Sequence, residues 1–351
     1  MVLAEMADGE YEQITHFYDD ATGLRAIVSI HDTTLGPSLG GTRMLPYDTE
    51  ADALRDVLRL SQAMTYKAAA ADLDLGGGKA VIIADPETKT EDLMNAYGRM
   101  VDRLGGRYIT SVDVNTGVND MEIIAKETEH VVGVSDGLGD PSPVTSLGVF
   151  SGLRACAEAA FGTDDLSDRT VLIQGVGKVG TGLAKHLVEH DATVKVSDID
   201  EPAVQALVNE LGVEAVAPDD LFGEPCDIFA PCAIGGVIND ETIPKLACDV
   251  VAGGANNVLE APGHADVLRD EGILYAPDYV INAGGLITVA KEYEGDTMEA
   301  ALAEAEQIGD RLEEMIGRAN ENDQSVLAAA DEYAEERIEA AENGTVATAD
   351  D

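Results

Sequence analysis

Positive charge is what this chain has least of. Lysine and arginine together number 22 against 67 aspartates and glutamates, a formal net charge of −45. Such a balance repels nucleic acid and anionic membranes, so neither is an expected partner. Long apolar runs are missing too: no stretch of about eighteen residues is apolar throughout, so no membrane span is expected. Residues 1–13 are acidic and lack a basic-then-apolar run, which argues against a secretory signal and for a cytoplasmic location. The four cysteines, Cys156, Cys226, Cys232 and Cys248, show no C-x-x-C spacing, so neither a disulfide framework nor zinc is suggested. They read as small hydrophobes in a reducing compartment. The histidines are scattered in no ligand pattern, and no metal site is expected.

The acidic residues are spread along the whole chain between apolar positions, unlike the concentrated charge of a disordered tail. Self-repulsion on this scale destabilises a compact state in dilute buffer and is tolerated when salt screens it. The composition therefore reads as adaptation to a salty cytoplasm.

At 351 residues with 45% hydrophobic content, the chain is long enough for two domains, each with its own core. Strand-like and helix-like segments alternate throughout, which argues for α/β architecture with largely parallel sheets. Strands are expected over 24–31 and 79–84, with helices over 49–64 and 90–104. A Gly-, Pro-, Asp- and Ser-rich break follows at 133–143, then a connecting helix over 145–161. A second α/β unit opens with a strand at 170–174 and a helix to about His190, then a strand at 193–197. Further strands are expected at 227–230, 250–252 and 273–276. Helical, Ala- and Glu-rich sequence runs from Met298, and residues 343–351 are expected to fray.

Gly175-Val176-Gly177-Lys178-Val179-Gly180 falls between a strand and a helix, the setting a dinucleotide-binding G-x-G-x-x-G requires. The first glycine permits the tight turn, the second lets the backbone approach a pyrophosphate, and the third allows close helix–strand packing. The helix N-terminus offers free N–H groups to phosphate. Asp198, at the end of the next strand, is placed to accept from ribose hydroxyls. Asp198, Asp200 and Glu201 would repel a 2′-phosphate, and no Arg or Lys stands beside them. NAD is therefore expected rather than NADP.

The chemistry must come from other residues. In Leu73-Asp74-Leu75-Gly76-Gly77-Gly78-Lys79, three glycines precede a lysine that leads into an apolar strand, which places an ammonium at the mouth of a sheet. Desolvation there depresses a lysine pKa and yields a base usable near neutrality. A second lysine, Lys67, lies on the expected helix among small residues. With only nine lysines in the chain, two in apolar surroundings are unlike surface decoration.

This stretch resembles the active-site motif of the glutamate/leucine/phenylalanine/valine dehydrogenases. The resemblance continues through Thr33–Pro37, Gly40-Gly41-Thr42-Arg43, Gly139–Thr145, Asp227–Ala233 and Ala276–Gly285, in family order over roughly residues 15–340. The leucine-specific branch is closest in pattern. The resemblance implies a substrate-binding and oligomerising domain over 1–138 and a Rossmann NAD-binding domain over 139–320, with a cleft between them. C-terminal helices over 321–351 would pack back on the first domain. It further implies that Lys67 holds the substrate carboxylate, Lys79 activates water and Asp113 shuttles the amine proton. Asn257 and Asn282 would lie near the substrate and nicotinamide, and Thr145 near the nicotinamide amide. For each of these three a structural hydrogen bond is the competing reading.

Glutamate-specific relatives carry lysine immediately before the Gly-Gly that matches Gly40-Gly41, whereas this chain has Leu39. Leu286 and Val289 match other pocket-lining positions and are apolar. Ser111 replaces alanine of the leucine branch, Leu286 a smaller valine, and Asn115 stands where that branch has glycine after the catalytic aspartate. The implied activity is NAD-dependent deamination of branched-chain or other apolar L-amino acids, as in branched-chain catabolism, by a homo-oligomer built from dimers. The alternatives are a phenylalanine- or valine-preferring enzyme, a glutamate enzyme, or an inactive NAD-binding regulator.

One expectation follows from charge alone. Melting temperature should rise steeply between dilute buffer and molar KCl, because screening relieves the repulsion behind a net charge of −45. Thermal melts across a salt series measure it, and a flat response would defeat the salt-adapted reading.

Overall fold

The computed structural model describes residues 2–344; residues 345–351, the greater part of the segment expected to fray, lie outside it. Contacts divide the chain into two units, one of Met1–Gly139, Val289–Asp296 and Ala334–Asp351, the other of Asp140–Thr288 and Thr297–Tyr333. Residues 321–333 thus group with the second unit, and 334 onward with the first.

The first unit opens with α1 (Val2–Asp8), followed by β1 (Gln13–Asp19), β2 (Leu24–Asp32) and β3 (Ser38–Leu45). Then come α2 (Glu50–Ala70), β4 (Gly76–Ile83), α3 (Glu91–Asp102), β5 (Tyr108–Val112) and α4 (Val118–Ile124). The sheet order is β1-β2-β4-β3-β5. β1–β2 and β2–β4 are antiparallel, whereas β4–β3 and β3–β5 are parallel. The expectation of largely parallel sheets is therefore corrected for this unit. β1 and β2 form a hairpin, whose tight turn reverses the chain without a crossover helix.

Both faces of the sheet are covered, which is why β2 and β4 read as near-continuous apolar runs. Ile27 and Val81 face Ala53, Leu54, Val57 and Leu58 of α2. Val28, Ala80 and Ile82 face the opposite core with Tyr97 of α3 and Met121 and Ile124 of α4. α2 begins at Thr49, whose hydroxyl accepts from Asp52 N at 3.1 Å, and carries Glu50 and Asp52 in its first turn, where the helix dipole favours them. The glycines of 76–78 belong to β4 itself. Gly77 brings α2 down onto the strand, since a Cβ there would overlap Thr65 and the Ser61 carbonyl.

The second unit runs α5 (Ser142–Phe161), β6 (Thr170–Gln174), α6 (Lys178–Glu189), β7 (Thr193–Ser197), α7 (Glu201–Leu211) and β8 (Glu214–Ala215). It continues with β9 (Ile228–Pro231), β10 (Val250–Val251), α8 (His264–Asp270), β11 (Leu274–Tyr275), α9 (Asp278–Ile281) and α10 (Gly284–Glu294). Last are α11 (Met298–Glu306), α12 (Ile308–Asn322) and α13 (Val326–Glu342). Its six strands are all parallel, in the order β11-β10-β9-β6-β7-β8. The order reverses between β6 and β9, so the crevice outside their carboxyl ends is a topological switch point, where doubly wound sheets bind nucleotides.

α13 gives its end to the first unit. Arg337 donates to Leu73 O and pairs with Asp74, both at 2.8 Å, and the Tyr66 hydroxyl donates to Glu335 at 2.9 Å. The turn that leads into β4 is thereby tied from outside the sheet.

Gly77→Ala should cost about 1–3 kcal/mol, the range for overpacking a filled core. Gly317→Ala is the control: it meets open space inside α12 and should be neutral or stabilising by up to about 1 kcal/mol. Urea denaturation of the two variants checks both; equal stabilities would mean that α2 does not press on β4.

Candidate functional site

Residues at alternate positions along a strand share a face. Ser29 of β2 bonds to Ser61 of α2 at 2.8 Å and pairs in register with Lys79, so Lys79 projects from the α2-covered face. The registers Leu39↔Gly77, Leu39↔Ile109 and Gly41↔Ser111 put Leu39, Gly41 and Ser111 on that same face. Lys79 sits in the middle of β4, not at the mouth of the sheet as its sequence context suggested, because the three glycines are strand residues. It is 7% exposed.

The Lys79 ammonium meets the Asp113 carboxylate, Nζ to Oδ2 2.9 Å. Asp113 follows β5 directly and reaches Lys79 across Gly41, where a Cβ would overlap the Val112 carbonyl and the Asp113 side chain. The same Oδ2 accepts from Arg43 Nε at 3.1 Å. Arg43 Nη1 in turn pairs with Asp56 at 3.0 Å, and Asp56 also accepts from the Tyr47 hydroxyl at 2.7 Å and from Arg59 at 3.1 Å. Burial pulls the Lys79 pKa below the ordinary lysine value, Asp113 opposes this, and the Arg43 charge adds to the lowering. Asp113 lies below the usual carboxylate range: burial would raise it, but the Lys79 and Arg43 cations outweigh that. The result is a carboxylate firmly ionised beside an ammonium that gives up its proton more readily than a solvated lysine.

The loop after Asp113 is fixed by side chains. Asp113 N donates to the Thr116 hydroxyl at 2.9 Å, and that hydroxyl donates to Thr42 O at 2.7 Å. Asn115 adopts the left-handed region, φ 59°, and its amide donates to Met44 O at 3.0 Å. Asparagine tolerates that conformation better than other side chains do, so it fits where the leucine branch has glycine.

Lys67 occupies the last turn of α2, half-buried. Leu39 is fully buried in β3. Gly40 alternates to the other face, where Tyr108 donates to its carbonyl at 2.6 Å and a Cβ would overlap the Gly78 carbonyl. Its missing side chain is explained by packing. Arg43, Asp56 and Tyr47 carried no role in the sequence reading. Period-two alternation from Leu39 through Gly41 was the signal that would have put Arg43 beside the lysine.

In the second unit the three loop glycines have separate causes. Gly175 has φ 98° and packs against Cys232 and Ala233 at the end of β9, across the switch point. A Cβ on Gly180 would overlap the Gly175 carbonyl, whereas Gly177 faces open space. Packing does not demand Gly177, and its lack of a side chain leaves the α6 N-terminus open. Asp198 Oδ2 accepts from Val176 N at 2.8 Å and Oδ1 from Asp200 N at 2.9 Å, bonds that hold its pKa below the usual value. The carboxylate thus shapes the glycine loop as well as facing its mouth. Asp200 caps α7 through Ala203 N at 3.1 Å. Lys178 is exposed and pairs with Asp140 at 2.9 Å, and Val179 follows it in the first turn of α6. These features fit a dinucleotide.

Asn282 and Thr145 make local hydrogen bonds, and Asn257 is presented by the loop that Asn282 holds. Asn282 is buried, and its amide donates to Ala255 O at 3.1 Å and Asn256 Oδ1 at 2.9 Å, which fixes the loop that presents Asn257. Asn257 is exposed with φ 52°. The Thr145 hydroxyl donates to Pro141 O at 3.0 Å, and Gly284 allows α10 to start against Thr145. Leu286 is buried and Val289 half-buried, one helical turn apart on α10. No group of three or more His, Cys, Asp or Glu among the described residues could hold a metal, and no helix there is long and apolar enough to cross a membrane.

Comparison with known proteins gives consistent matches. The family model for the Glu/Leu/Phe/Val dehydrogenase dimerisation domain matches residues 11–130, and that for glutamate/leucine/phenylalanine/valine dehydrogenase matches 195–349. The chain is 51% identical to a leucine dehydrogenase of Geobacillus stearothermophilus over 94% of this chain and 91% of that protein. It is 49% identical to a valine dehydrogenase of Streptomyces albus, over 94% and 93%. The crystal structure of L-tryptophan dehydrogenase from Nostoc punctiforme aligns with a TM-score of 0.91 at 44% identity, covering 97% of this chain and all of that one. Relatives at nearly equal identity thus bear the names of three different substrates.

Arg43→Gln should raise the Lys79 pKa, because it removes a neighbouring cation and leaves Asp113 in place; Arg43→Lys should restore the parent value. Competitive acetylation across pH, read on the Lys79 peptide, measures it. A value that stays put or falls in the glutamine variant removes Arg43 from the site's electrostatics.

Proposed function

Since the chain belongs to the glutamate/leucine/phenylalanine/valine dehydrogenase family, we propose that it carries out the reversible NAD-dependent oxidative deamination of apolar L-amino acids. Leucine, isoleucine and valine are the preferred substrates, and the products are 2-oxoacids and ammonium. The observation that carries the reading is the buried Lys79–Asp113 pair on the sheet face that also bears Leu39.

Each residue has a definite task. Lys67 holds the substrate carboxylate. Asp113, kept ionised by Lys79 and Arg43, takes a proton from the substrate nitrogen. The Gly175–Gly180 loop and Asp198 would hold NAD⁺, which when bound would supply the hydride acceptor for the substrate Cα. Lys79 in its neutral form removes a proton from the water that adds to the resulting imine, and the lowered pKa makes that form easier to reach than for a solvated lysine. Leu39, Ser111 and Val289 line the side-chain pocket, with Gly40 supporting it, and Asn257, Asn282 and Thr145 serve the substrate and nicotinamide ends. A glutamate side chain would place a carboxylate against Leu39 without a cation, at a cost of several kcal/mol.

Further readings belong with this one. The residues matched to the dimerisation model form the contact for a homo-oligomer, the acidic surface suits a salty cytoplasm, and the reaction serves branched-chain amino-acid breakdown. The same functional assignment divides the chain into a substrate domain (1–138), a cofactor domain (139–320) and C-terminal helices (321–351).

Initial rates of NAD⁺ and NADP⁺ reduction across a panel of L-amino acids test the function. Activity confined to apolar substrates with NAD⁺ is expected; no NADH formation with any of them would sink it. Leu39→Lys tests the pocket. Leucine turnover should fall by at least about tenfold, since a buried ammonium there has no partner in an isobutyl side chain. Leucine kinetics within twofold of the parent would take Leu39 out of the pocket.

A further inference from the structure

Cys226 and Cys248 are 22 positions apart in sequence yet occupy matching places in the second sheet. Each precedes by two residues a member of the parallel pair Ile228↔Val250 of β9 and β10. The ladder continues below the strands: Cys226 N donates to Ala247 O at 3.1 Å and Asp249 N to Asp227 O at 3.0 Å. That continuation makes the two cysteines cross-strand neighbours on one face. Adjacent strands lie about 4.8 Å apart, inside the range of about 4.4–6.8 Å between Cα atoms that a disulfide spans. Both thiols are half-buried and line one cavity of about 280 Å³ with Ile243, Pro244, Leu246 and Glu271. A small oxidant can therefore reach them.

We propose that Cys226 and Cys248 form a reversible dithiol–disulfide site that reacts with peroxides, with Cys248 oxidised first and Cys226 resolving. The Cys248 thiolate attacks one oxygen of hydrogen peroxide, breaks the O–O bond and becomes a sulfenic acid, while the departing hydroxide takes a proton to leave as water. The Cys226 thiol then attacks that sulfur; the S–O bond breaks, the S–S bond forms, and a second water leaves with the Cys226 proton. Two thiols are oxidised by two electrons, and one peroxide is reduced to two waters. A dithiol reductant reverses the step by exchange.

The division of labour follows from the surroundings. Cys248 is drawn below the usual thiol pKa, first by its hydrogen bond with Cys226 and further by backbone contacts, against the opposing effect of burial. Cys226 is raised by the same partner and by burial. The other two cysteines differ. Cys156 is buried and pushed up to about 12, and Cys232 is pushed up to about 11 while its sulfur accepts from Gly254 N at 3.4 Å. Neither offers an exposed thiolate.

Peptide mapping of the reduced, full-length protein after stoichiometric hydrogen peroxide tests the site. Lys245 lies between the two cysteines, so trypsin separates them into peptides 196–245 and 246–269. The expected product is these two peptides joined, two hydrogens lighter than their sum, and released by dithiothreitol. The link should persist in Cys232→Ala, which removes the other thiol from peptide 196–245. In Cys226→Ser the link is lost and dimedone should label Cys248. Free, alkylatable Cys226 and Cys248 after peroxide would overturn the proposal. So would conversion of Cys248 to sulfinic acid with Cys226 still reduced, or a link that disappears in Cys232→Ala.

Discussion

An ammonium in the middle of a β-strand is expensive to desolvate, and the first unit is organised around meeting that cost. Lys79 has water on almost no side, so its charge survives only through Asp113 at 2.9 Å. Asp113 would itself be raised toward neutrality by burial, and Lys79, followed by Arg43 on the same oxygen, prevents this. Arg43 is then held by Asp56, which Tyr47 and Arg59 satisfy from α2 and the preceding loop. Each partner helps to satisfy a charge that is largely withdrawn from water. The series ends at exposed Arg59. Removing Asp113 would leave the buried Lys79 charge without its carboxylate, which costs more than the pair contributes.

Glycine makes this arrangement sterically possible. Gly77 lets the α2 backbone lie on β4, and Gly41 lets Asp113 cross β3. The nucleotide loop solves a related problem with the opposite charge. There the carboxylate of Asp198 is satisfied by backbone N–H groups of Val176 and Asp200 rather than by a cation. A carboxylate held by backbone donors keeps its charge without a lysine that would cancel it. The two sites therefore use few of the chain's scarce basic residues, and use them where burial multiplies their effect.

The sequence made the architecture of the second unit legible because its signals are local. A short β-branched strand, glycines at fixed offsets and a carboxylate one strand later each carry their own meaning, and Thr170–Gln174 and Thr193–Ser197 fall where periodicity put them. The first unit was less legible. Gly76–Gly78 read as a loop because glycine is a poor strand former, yet tertiary contact with α2 holds them in β4. The antiparallel hairpin of β1 and β2 went unread because β1, at the sheet edge, has no clean apolar alternation. Lys79 was singled out by its local glycine context and Asp113 by motif resemblance; their contact is a long-range fact that no local pattern encodes. Arg43 was missed for the same reason, since its role exists only once β3, β4 and β5 stand side by side.

Charge acts on two scales in this molecule. Most of the lysines and arginines among the described residues are ion-paired, and 22 cations are too few to match 67 carboxylates. Interactions among the exposed groups span a Debye length or more and weaken as salt rises, repulsive and attractive alike. Repulsions dominate in number, so screening favours the compact state. The Lys79, Asp113 and Arg43 cluster is different: its members touch at 2.9–3.1 Å and have little water between them for ions to enter. Salt therefore acts on the exposed carboxylates, while the charge states at the site are set by burial and contact and should change little with ionic strength. A surface this acidic can be remodelled by environment without retuning the lysine beneath it.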